Sequence, residues 1–82
     1  MGERFARRKI EDEEIWLDLK EGQFYGINEA GSAILAAWRE GVREPAAIAE
    51  RLVASFEVES DVALAAVTAF LEKARGRGLL EA

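Results

Sequence analysis

"QFYGINEAGSAIL" (Gln23–Leu35) changes rhythm in the middle, and the change decides the fold. Gln23 to Asn28 reads as an extended apolar and aromatic segment. From Glu29 onward Ala30, Ala33, Ile34, Ala37 and Trp38 follow helical spacing until Gly41 stops the run. Asn28 stands at the junction, where its side-chain oxygen can accept from the free N–H groups of a helix that starts at Glu29. Glu29 places negative charge in the first turn, the end that the helix dipole favours.

Working outward, "IWLDL" (Ile15–Leu19) is a second strand with Ile15, Leu17 and Leu19 on one face and Trp16 and Asp18 on the other. A one-residue slip would turn a whole apolar face outward, so the connecting loop can be chosen by register. A two-residue Glu21-Gly22 loop mixes polar and apolar residues on each face. A three-residue loop, Lys20-Glu21-Gly22 with Gly22 left-handed, pairs Ile15 with Ile27 and Leu17 with Tyr25, and sets Trp16 across from Gly26. That is the register expected. Upstream, about Arg4 to Ile10, a first strand is interrupted in its alternation by Arg7, Arg8 and Lys9.

Downstream, Pro45 suits the first position of a helix that aligns Ile48, Ala49, Leu52, Val53 and Phe56. "EVES" connects to a third helix, about Asp61 to Arg75, with Ser60 as its cap and Gly76 and Gly78 beyond. At 100° per residue Leu64, Val67, Leu71 and Ala74 form a core stripe. Beside it Ala63, Ala66 and Phe70 continue into Lys73 and Arg77, which suits the wall of a shallow groove. The plain alternative is that Phe70 is further core and the two cations are solvated. The order of elements is an α+β, winged helix-turn-helix-like domain: a three-stranded antiparallel sheet followed by three helices.

Composition narrows the function. Eighty-two residues, half hydrophobic and one third charged, make one globular domain over residues 1–82, with a small core. The chain has no Cys and no His, so thiolate nucleophiles, imidazole bases and the usual zinc sites are excluded. No pair among the 16 carboxylates is singled out by spacing, so no catalytic residue, metal site or cofactor is expected. No apolar run approaches the roughly 20 residues of a membrane span, and the N-terminus has no apolar export segment, so a cytoplasmic location is the default. A net charge of −5 and the alanine-rich "DVALAAVTAFLE" oppose nucleic-acid binding, although many winged helices bind DNA. A module that pairs its third-strand edge with its own copy stays open as another class.

Several stretches together carry a resemblance: "YGINEAGSAIL", then "IAERL", then "FEV", then "VTAFLEKARGRGLL". In this order and spacing the chain, from about Ile10 to Glu81, resembles the PqqD-like proteins, also called RiPP precursor peptide recognition elements. Ile27 stands where members most often have Leu, which keeps an apolar side chain there. The resemblance implies a non-catalytic protein that binds the leader of a ribosomally made precursor peptide. The leader joins the sheet beside the third strand and lies against the third helix, and the precursor is then presented to a separate leader protease or modifying enzyme. The implied peptide-binding residues are Gln23, Phe24, Tyr25, Gly26, Ile27 and Asn28 on the strand and Ala63, Ala66, Phe70, Lys73 and Arg77 on the helix, with Tyr25 and Ile27 facing the core. Monomer or weak homodimer is expected. The compact chain and the "NEAGSAIL" strand exit resemble the stand-alone proteins of lasso-peptide biosynthesis; the peptide chaperone of pyrroloquinoline quinone biosynthesis is the alternative.

Overall fold

The computed structural model describes residues 4–81. Strands β1 (Phe5–Ile10), β2 (Glu13–Asp18) and β3 (Gln23–Ile27) form an antiparallel sheet in the order β1-β2-β3. Helices α1 (Glu29–Arg39), α2 (Pro45–Ser55) and α3 (Ser60–Gly76) follow, then a short 3-10 turn, Leu79–Glu81. This is the expected winged helix-turn-helix-like α+β arrangement. Asn28 caps α1 as expected: it is extended, and its Oδ1 accepts the Gly31 N–H at 2.8 Å. Pro45 opens α2. Ser60 is not the cap of α3 but its first residue, and Glu59 precedes it without a side-chain bond.

The register of β2 on β3 differs from the expected one by a single residue. Trp16 faces Tyr25, Glu14 faces Ile27 and Ile15 faces Gly26. Tyr25 and Ile27 do point to the helices, but their partners there are Trp16 and Glu14, not Leu17 and Ile15. The cause lies in the turn, which has four residues, Leu19 to Gly22, because Asp18 organises it. The Asp18 carboxylate accepts the N–H groups of Lys20 and Glu21 at 3.0 and 3.1 Å, and its carbonyl accepts that of Gly22 at 2.7 Å. Gly22, at φ 71°, takes the left-handed conformation that closes the turn. Asp18 is fully buried and is held by a two-pronged bond from Arg4, Nη2 to Oδ2 at 2.9 Å and Nε to Oδ1 at 3.2 Å. That bond to Arg4 keeps the Asp18 carboxyl below the usual range although burial opposes it. With the charge satisfied, Trp16 is the residue that goes inside, at 0% exposure, while Leu19 is 56% exposed.

Among the described residues two clusters make up the core. Phe5, Trp16, Ile27, Leu35, Ala74 and Leu79 join the sheet to the helices, and Ile34, Ile48, Leu52, Ala63, Val67 and Leu71 join the helices to each other. Phe70 packs against both. Val67, Leu71 and Ala74 form the core stripe of α3 as expected, but in its first turns Ala63 is buried in place of Leu64, which is 41% exposed. A small residue allows close approach of the neighbouring helix, and that contact outweighs the greater apolarity of leucine.

Candidate functional site

The backbone of β3 has a side that β2 does not use. The Leu19 N–H donates to the Arg4 carbonyl at 2.7 Å. In an antiparallel ladder hydrogen-bonded and non-bonded pairs alternate, so with Phe5 opposite Asp18 and Ala6 opposite Leu17 the backbone groups of Leu17 and Ile15 turn toward β1. Those of Asp18, Trp16 and Glu14 therefore turn toward β3, where they meet Gln23, Tyr25 and Ile27. The N–H and C=O groups of Phe24 and Gly26 consequently point away from the sheet. Of the six strand residues named from sequence, these two carry the open hydrogen-bonding edge.

The other edge, β1, is a poorer template. Arg7, Arg8 and Lys9 stand in succession along it, and charged side chains on an edge strand discourage pairing. β3 carries no charged residue.

Beside the open edge lies a cleft of about 310 Å³. Gly26, Ile27 and Asn28 form one wall and Phe70, Lys73, Ala74 and Arg77 of α3 the other, with Glu13 and Leu79 completing it. Its floor is set by Phe70, which sits in a notch that Gly31 leaves in α1. A Cβ at Gly31 would fall 2.8 Å from Phe70 Cε1 and 2.9 Å from Ile27 Cγ2. Arg77, the C-cap residue just beyond α3, lies over the Tyr25 ring at 4.8 Å. The apolar floor thus sits at the Ile27 end and a guanidinium at the Tyr25 end. Continuing the register, Glu13 falls opposite Asn28, at the Ile27 end of the lining.

The remaining residues named from sequence lie elsewhere. Ala63 is buried between the helices, and Ala66 is exposed on α3 outside the cleft lining. Phe24 projects to the opposite face of the sheet, 70% exposed, in a row with Ala6 and Leu17. Three lining residues were not named from sequence. Ala74 reads from sequence as core alone; Leu79 belongs to the "GRGLL" stretch that carries the resemblance; Glu13 has no sequence signal, because its place depends on the register. The arrangement offers main-chain donors and acceptors, an apolar floor and two cations, which suits an extended peptide.

The family model described as coenzyme PQQ synthesis protein D (PqqD) matches residues 13–80. Among solved structures the chain is similar to TbiB1 in complex with the TbiA(beta) leader peptide, at TM-score 0.76 and 24% identity over 95% of this chain and 90% of that one. It is also similar to a lasso peptide synthetase B1 complexed with the leader peptide, at TM-score 0.78 and 21% identity over 94% and 89% of the two chains. No curated protein matches. These likenesses support the fold described above.

Proposed function

The chain belongs to the PqqD family, and from that premise we propose that it is a cytoplasmic, non-catalytic recognition element for a precursor peptide. It captures the leader segment of a ribosomally synthesised precursor by strand addition to β3 and presents it to a separate leader protease or modifying enzyme. The observation that carries this reading is the outer backbone edge of Phe24 and Gly26, without a strand partner among the described residues, beside a cleft walled by Phe70, Lys73 and Arg77. Strand addition draws affinity from main-chain bonds and specificity from pockets for alternate side chains, and both parts stand together here. One solved neighbour is a lasso peptide synthetase B1, which favours lasso-peptide biosynthesis over quinone-cofactor biosynthesis. The row Ala6, Leu17 and Phe24 lies on the face of the sheet opposite the cleft.

The test is an NMR titration of the labelled protein with a synthetic leader from the precursor gene beside its own. The amides of Phe24 and Gly26 and of α3 from Phe70 to Arg77 should shift most. Shifts confined to other surfaces, or none at all, would remove the site.

A further inference from the structure

Resting on the leader-binding reading, we infer that Arg77 is the specificity-determining residue of the cleft and that it selects a carboxylate at one defined position of the bound strand. A strand bonded to Phe24 and Gly26 sends alternate side chains to alternate faces. The residues beside those two lie on the outer face. The residues beside Ile27 and Tyr25 enter the cleft, two positions apart in the peptide. Beside Ile27 the floor is Phe70, which calls for an apolar side chain. Beside Tyr25 the side chain meets Arg77.

Arg77 is prepared for a carboxylate rather than merely near one. Its guanidinium lies over the Tyr25 ring, 4.8 Å from the centroid, a cation–π contact that holds the group on the cleft wall. The ring occupies one side of the guanidinium, and five N–H donors leave a pair that can fork a carboxylate. Tyr25 is thus a positioning residue for Arg77. Lys73, one helical turn back along α3, adds a second positive charge to the same wall. The selected peptide is therefore extended and carries an apolar residue and an Asp or Glu two positions apart.

A display library of short random peptides, selected on the intact protein, tests this. Enriched sequences should share an apolar residue and an acid at that spacing. For an enriched peptide, Glu→Gln should weaken binding to the wild type about tenfold at low salt. The same change should cost nothing against Arg77→Glu, whose own selection should lose the acid or replace it with Lys or Arg. Tyr25→Leu should abolish the preference while the apolar contact still binds, and Tyr25→Phe should retain it. Enriched peptides without an acid that still shift the Phe24 and Gly26 amides would overturn the role of Arg77 and leave the leader site standing. Binding that shifts neither amide, or a library that yields no binder, would overturn both.

Discussion

Gly26→Pro isolates the backbone from the side chains. The N–H of Gly26 points away from β2, and nothing lies within 4 Å of where a Cβ would stand. An edge strand tolerates proline when its N–H faces solvent, so the free protein should keep its fold. In the complex one carbonyl of the incoming strand loses its donor and cannot turn back to water, at a cost of about 1–3 kcal/mol. At about 1.4 kcal/mol per factor of ten, leader affinity should fall by roughly fivefold to a hundredfold. Isothermal titration calorimetry reads the affinity, and circular dichroism checks the fold. Tyr25→Pro is the matched opposite, because its N–H serves the bond to Trp16; that variant should lose the hairpin itself. A Gly26→Pro protein that unfolds, or one that binds the leader as the wild type does, would refute the assignment of which backbone groups face outward.

Gly31→Ala should destabilise the protein by about 1–3 kcal/mol in urea unfolding, despite alanine's better helix propensity, because the added methyl overlaps Phe70 and Ile27. Trp16→Ala removes a fully buried ring that packs on Phe5 at 5.4 Å and should cost about 3–5 kcal/mol by the same measurement. Asp18 has a lowered folded-state pKa, so it contributes stability above the ordinary aspartate value of about 3.9 and loses that contribution as pH falls through its own lower value. Unfolding followed between pH 5 and 2 should show an acid-side loss that Asp18→Asn reduces; an unchanged pH profile in that variant would contradict the role of the pair.

Some of this was legible in the sequence because the deciding groups are neighbours in the chain. Asn28 reaches the Gly31 N–H three residues on, and Pro45 starts a helix by its own geometry, so both positions could be read directly. The register could not, because two alternating sets in β2 compete. Ile15, Leu17 and Leu19 look like the buried set, yet Trp16 and Asp18 occupy the interior. Burial of Asp18 depends on Arg4, 14 residues away, and no local pattern announces that partnership. One position of the α3 stripe differs for a related reason. Ala63 is buried because α2 lies against it, and spacing alone favours the larger Leu64. The cleft wall of Phe70, Lys73 and Arg77 was visible as a stripe on one helix, whereas Glu13 at its far end was visible only once the strands were paired.

The single-residue joint at Asn28 has a thermodynamic consequence for any ligand of β3. With the strand running straight into a capped helix, the edge has almost no slack to lose when a peptide arrives. The ordering cost, about 1–2 kcal/mol for each backbone residue fixed, therefore falls almost wholly on the ligand. A site with two outward-facing residues can repay that cost only over a short span. On the proposed reading, a few residues of the leader carry the binding and the rest of the precursor need not be ordered by it.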